Sequence, residues 1–170
     1  GPDRCTLDER SLVVPGVPDA FTLRTVSRIN PGRNTKLMGI FVSSTGFFSL
    51  CEAEGFRRIT PSADRPDVMS KYSVTLHADK AQYPVLLANG NLTERRDEPH
   101  GRHCARWEDP FPKPSYLFAV VAARLESRKD SFKTRSGRTV QLHFFVEPGK
   151  LDQCEFALES LKHAMRWDED

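Results

Sequence analysis

A mainly β chain, an antiparallel β-sandwich or saddle with a C-terminal hairpin and one amphipathic helix, is the fold class this sequence predicts. Three observations predict it. Tyr72, Val74, Leu76 and Ala78 alternate with Ser73, Thr75, His77 and Asp79, and Val140, Leu142, Phe144 and Val146 alternate with Thr139, Gln141 and His143. A period of two buries one face of a strand and wets the other. Turn-forming clusters punctuate such runs, among them Asn30-Pro31-Gly32, Asn89-Gly90, Pro99-His100-Gly101 and Ser136-Gly137. Finally, Leu151, Cys154, Leu158, Leu161 and Met165 recur at steps of 3, 4, 3 and 4, which is one stripe on a helix.

In chain order, residues 11–60 read as β. Phe21 to Ile29 carries a weak period of two and ends at Asn30-Pro31-Gly32. Lys36 to Val42 is a second strand, Ser43 to Gly46 a turn, and Phe47 opens a third strand. Asp64-Arg65-Pro66-Asp67 turns the chain before the strand from Tyr72 to Asp79. Tyr83 to Ala88 and Leu92 to Arg96 flank Asn89-Gly90, the strongest short hairpin signal. Pro99-His100-Gly101 turns into Arg102 to Trp107, and Pro110, Pro112 and Pro114 mark an extended connector. Tyr116 to Ala123 is apolar throughout, as in a central strand covered on both faces. Ser136-Gly137 turns a further hairpin, and the helix follows Pro148-Gly149. Asp152 and Glu155 sit near its N-terminal end, where the dipole favours acids. The total is about nine strands and one helix, with the helix stripe expected to cover its own sheet and Trp167 to lack a partner.

The bulk numbers narrow the function classes. With 170 residues, 38% hydrophobic and 28% charged, the chain can build a real core. A net charge of +2 is too small to point to nucleic acid. No apolar run approaches the ~20 residues of a membrane helix. Cys5, Cys51, Cys104 and Cys154 form no Cys-x-x-Cys pair, so reduced thiols are expected. The compartment stays open, with the cytoplasm favoured. Gly1-Pro2 reads as a protease-cleavage scar, which would put the natural N-terminus upstream.

Two constellations carry potential chemistry. His100-Gly101-Arg102-His103-Cys104 offers three metal ligands within five residues. It lacks a fourth, and on a strand His103 and Cys104 point to opposite faces; a hairpin with surface histidines is the reading. His77 and His143 lie on wet strand faces. Cys51-Glu52-Ala53-Glu54-Gly55-Phe56-Arg57 packs two carboxylates, a thiol, a glycine and an arginine into seven residues. By chemistry alone it is either a cation-holding site at a sheet edge or a solvated turn. No Gly-x-Ser-x-Gly elbow, phosphate loop or His-Glu-x-x-His helix is present, so no complete catalytic machinery is visible.

The segment Cys51 to Thr60 is similar to the Cys-Glu-Ala-Glu-Gly-Phe-Arg segment of the aminopeptidase N family, zinc metallopeptidases of the gluzincin type. Asp64 to Met69, Tyr83 to Leu87 with Asn89-Gly90-Asn91, Trp107 to Pro114, Tyr116 to Ala119, Thr134 to Arg138 and Met165 to Glu169 resemble family motifs in the same order and spacing. The resemblance implies an N-terminal fragment of a large multidomain enzyme. Residues 1–125 would be an N-terminal β-saddle lacking its first strands, and residues 126–170 the hairpin and first helix of a thermolysin-like catalytic domain. The substrate motif Gly-Ala-Met-Glu-Asn and the zinc helix would lie beyond the chain.

The same resemblance assigns one residue a role. Glu52 occupies the position whose carboxylate reaches into the family's active site and holds the free α-amine of a peptide substrate. Such a charge-assisted hydrogen bond selects for a free N-terminus. Leu50 stands where the family usually has a site-lining Gln and cannot hydrogen-bond. Pro61-Ser62-Ala63 replaces an aromatic-containing stretch, and Arg124 stands in place of an Asp. A structural role is expected for Glu54. The parent would use zinc and act on peptides, and the missing catalytic domain would be the partner of this domain. The fragment itself is expected to be inactive, to bind no zinc, and to self-associate through exposed strand edges. The alternative is a non-catalytic β-domain that serves as a protein-interaction module.

Overall fold

The computed structural model describes residues 5–8 and 11–169; Gly1-Pro2 lies outside them. The mainly β, antiparallel prediction is borne out. Two short strands, β1 (Thr6–Leu7) and β2 (Leu12–Val13), pair with each other. Then come β3 (Gly39–Ser43), β4 (Gly46–Leu50), β5 (Ser70–Asp79), β6 (Val85–Ala88), β7 (Asn91–Glu98), β8 (Arg102–Lys113), β9 (Val120–Ala123), β10 (Glu126–Lys133), β11 (Thr139–Val146) and the helix α1 (Cys154–Asp168).

The strands form a four-stranded sheet in the order β3-β4-β9-β6, a three-stranded sheet in the order β5-β8-β7, and the separate hairpin β10-β11. β9 is a central strand, as its apolar run predicts, although only Val120–Ala123 is extended and Ser115–Leu117 is a 3-10 turn. Leu86, Cys104, Ala105, Val120 and Ala123 are buried in the two larger sheets. Phe132 and Leu142 of the hairpin form a second cluster with Cys154 and Leu158 of the helix. The stripe therefore covers its own sheet, while Trp167 stays exposed.

Four expectations are corrected. Phe21 to Ile29 forms no strand: it is exposed, and alternation without a neighbouring strand satisfies no backbone groups. The strand expected from Lys36 starts only at Gly39, because Leu37 takes a positive φ of 54° that breaks extension. Asn89-Gly90 makes no hairpin. β6 pairs with β9 and β7 with β8, so this dipeptide carries the chain from one sheet to the other. Gly90 has φ 85°, and a Cβ there would lie 2.2 Å from the Glu108 carbonyl oxygen. Asn89 instead accepts from the Ala119 amide at 2.6 Å and donates to the Leu117 carbonyl at 3.0 Å, fixing the approach to β9. Lastly, the Pro110-to-Pro114 connector is largely strand, since β8 runs to Lys113 with an irregularity opposite Ser70–Tyr72. Proline is tolerated where the ladder is interrupted.

Candidate functional site

β4 delivers the chain to the stretch Cys51 to Arg57. The Gly55 amide donates to the Cys51 carbonyl at 2.8 Å and closes a tight turn over Glu52, Ala53 and Glu54. The Glu52–Ala53 peptide is cis. Gly55 is required by close approach: a Cβ there would lie 2.5 Å from the Leu50 carbonyl oxygen and 2.8 Å from the Cys51 Cα. Phe56–Arg58 then forms a single 3-10 turn. The Phe56 ring meets Phe118 at 4.9 Å and Tyr72 at 6.2 Å, edge-on to both, which seats the turn against β5 and the approach to β9.

Asp64 braces this turn from below. Its side chain is 3% exposed. One oxygen accepts from the Arg57 backbone amide and from Arg57 Nε, both at 3.0 Å, and the other accepts from Ser115. Burial raises the Asp64 carboxyl, but the hydrogen bonds from Ser115 and Arg57 outweigh it and hold it below its ordinary value. Cys51, 2% exposed, is pushed up to about 11 by burial and then by the Asp64 charge, so it is a thiol packed in the base. By sequence alone Asp64 is part of the turn Asp64-Arg65-Pro66-Asp67. The Arg57–Asp64 pairing has a weak local signal, but Ser115 is 51 residues away and carries none.

The upper side of the turn differs. Glu52 is exposed, and among the described residues none hydrogen-bonds or ion-pairs with it. Glu54 reaches Arg57 at 3.4 Å in an exposed pair, a contact of small worth. Leu50 is 46% exposed and lines a cavity of about 750 Å³ together with Phe41, Phe48, Val121, Phe144 and Val146. This cavity runs between the four-stranded sheet and the hairpin–helix unit, and Glu52 is not among its lining residues. The Arg124 guanidinium donates to the Ala81 carbonyl.

The histidine-rich stretch is rearranged relative to the expectation of surface histidines. His100 forms part of the β7–β8 turn with φ 60°, whereas His103 is buried and donates from Nε2 to the Tyr83 carbonyl at 2.8 Å. Cys104, on the opposite face, comes together with His77 and Glu98, their ligand atoms within 4.8 Å of one another. These three share one face of the sheet, with His77 half-exposed at its surface and Cys104 buried beneath. They do not fit a peptidase zinc centre, which needs an open cleft for the scissile bond.

The architecture and the braced turn define a β-domain that presents one free carboxylate beside a sheet end. Residues 22–117 match the family model described as the Peptidase M1 N-terminal domain. Aminopeptidase N of Escherichia coli (strain K12) is 46% identical over 163 residues, covering 96% of this chain and 19% of that protein. Aminopeptidase N of Caulobacter vibrioides is 51% identical over 164 residues, with the same coverage of 96% and 19%. A crystal structure of Legionella pneumophila aminopeptidase A in complex with aspartic acid superposes with a TM-score of 0.90 at 37% identity, covering 99% of this chain and 20% of that one. A two-domain M1 zinc metallopeptidase bound to L-tryptophan has a TM-score of 0.58 at 21% identity over 71% of this chain and 27% of its own; that likeness is one of fold. The chain belongs to the M1 peptidase family and carries its N-terminal domain. It spans about a fifth of the length of the curated relatives it matches.

Proposed function

We propose that the chain works as the N-terminal domain of a zinc metalloaminopeptidase that removes N-terminal amino acids from peptides, walling the active site and presenting Glu52 to the substrate α-amine. One observation carries the assignment of Glu52: its carboxylate is unpartnered at the tip of a turn whose base is held by Asp64, Ser115, Arg57 and the packed Gly55. A positioned anion can bind an ammonium without first reorganising its support. When the amine is desolvated, the charge-assisted bond selects for a free N-terminus.

The division between residues 1–125 and 126–170 is supported by the separate pairing and separate core of the hairpin and helix. The zinc that polarises the scissile carbonyl and activates water would be held outside these 170 residues, in the remainder of the enzyme. The chain alone is then inactive, and chelator-sensitive hydrolysis of an alanyl chromogenic substrate by the pure chain would overturn that. Self-association through sheet edges is checked by sedimentation across a range of concentrations, where a fixed monomer counts against it. In the whole enzyme, Glu52→Gln should raise KM for free-amine substrates about tenfold or more, the weight of one hydrogen bond to a charged group. Unchanged kinetics would remove Glu52 from the site.

A further inference from the structure

Cys104, His77 and Glu98 stand apart from the Glu52 turn, and each comes from a different strand of the β5-β8-β7 sheet. The register explains their meeting. His77 is the cross-strand partner of Cys104 on one side, and Arg96 is its partner on the other. Glu98, two residues beyond Arg96, shares that face. The sequence sets Cys104 next to His103, but the pleat sends His103 to the opposite face and gives the thiol His77 instead.

The geometry is close to that of a coordination site. His77 Nδ1 lies 3.0 Å from both carboxylate oxygens of Glu98, and all three ligand atoms fall within 4.8 Å of one another. A tetrahedral zinc with bonds of about 2.0–2.3 Å sets its ligand atoms roughly 3.3–3.8 Å apart, so small side-chain rotations suffice. The ligand set is selective: a thiolate with an imidazole suits zinc and cobalt, and disfavours calcium and magnesium. Arg96 donates to Glu98 at 3.3 Å and also pairs with Glu94, an outer contact that holds the Glu98 carboxylate in orientation. His77 is half-exposed, which leaves a route for the ion and a position for water.

We propose that this face binds one zinc-class divalent cation through Cys104 Sγ, His77 Nδ1 and a Glu98 oxygen, with water completing the tetrahedron. The ion ties β5, β8 and β7 together and acts as a brace, separate from hydrolysis. Along β5, His77 is five residues from Tyr72, which touches the Glu52 turn through Phe56, or about 17 Å at strand spacing.

The test uses the full chain carrying Cys5→Ser, since Cys5 is an exposed free thiol. Cobalt(II) should produce a stoichiometric thiolate-to-metal charge-transfer band, and zinc should displace it. At a hundredfold excess over Kd, zinc should raise Tm by about 5–10 °C. Cys104→Ser should abolish the band. His77→Gln and Glu98→Gln should each weaken cobalt binding by more than ~10-fold, the lower range of what even outer-contact changes cost. Absence of the band, or a band and a Tm rise that survive Cys104→Ser, overturns the site. Should Cys104→Ser fail to fold, full-strength binding by both Glu98→Gln and His77→Gln overturns it equally.

Discussion

Asp64 and Glu52 have the same charge, one bracing the Cys51–Arg57 stretch and the other carried on it, yet the fold treats them in opposite ways. Asp64 is enclosed and accepts from an amide, a guanidinium and a hydroxyl. Glu52, above it, is exposed and has no partner among the described residues. Asp64 is committed to holding the turn, and Glu52 is left exposed, as the proposed contact with a substrate amine requires. The contrast teaches that a carboxylate's role follows from which of its bonds the fold has already used. Chemistry that needs an available anion is placed on a support whose own charges are saturated.

Removing the support should have the largest effect. Asp64→Ala leaves the Arg57 amide and Ser115 without their acceptor and should cost about 2–4 kcal/mol in urea denaturation, the loss of buried acceptor bonds discounted for an Arg57 side chain that is half exposed and can turn to water. A loss under ~1 kcal/mol would mean that the brace does not carry the turn. The same residue sets a pH dependence. Its folded pKa lies below its unfolded value of about 3.9. Its stabilisation is therefore complete above that unfolded value and is lost as pH falls through the lower folded one. The acid limb of the stability curve should be visibly shallower in Asp64→Asn than in the parent chain. Gly55→Ala comes next: a methyl forced against the Leu50 carbonyl should cost about 1–3 kcal/mol. Because it displaces the tip, it should also raise KM in the whole enzyme. Glu52→Gln should be the smallest on stability, within about 0.5 kcal/mol, while carrying the kinetic effect predicted for substrate binding. A Glu52 variant that unfolds the chain would erase the contrast with Asp64.

Much of the fold was legible because alternation and the helix stripe report burial directly. The run Tyr72 to Ala78 became β5 and the stripe from Cys154 became α1. The misreadings share one cause, since local pattern does not name the partner. Asn89-Gly90 has the composition of a hairpin turn, but β6 and β7 each find a better neighbour in another part of the chain. Phe21 to Ile29 alternates and yet has no strand beside it. Glu52 was singled out as a candidate only through the resemblance of its segment. Its support was not, because Ser115 and Phe118 reach the turn from more than fifty residues away.

By itself, the sequence determined the class of fold, the helix that covers the last hairpin, and the family to which the Cys51–Arg57 segment is related. Those properties follow from short-range periodicity and from motif order, which a linear string records in full. Only the tertiary structure decided that the chain changes sheets at Gly90, that Asp64 is consumed as a brace while Glu52 stays free, and that Cys104 faces His77 rather than His103. Each of those depends on strand register and on close approach between distant backbones. A one-residue change of register exchanges the faces of a strand without altering a single letter of the sequence.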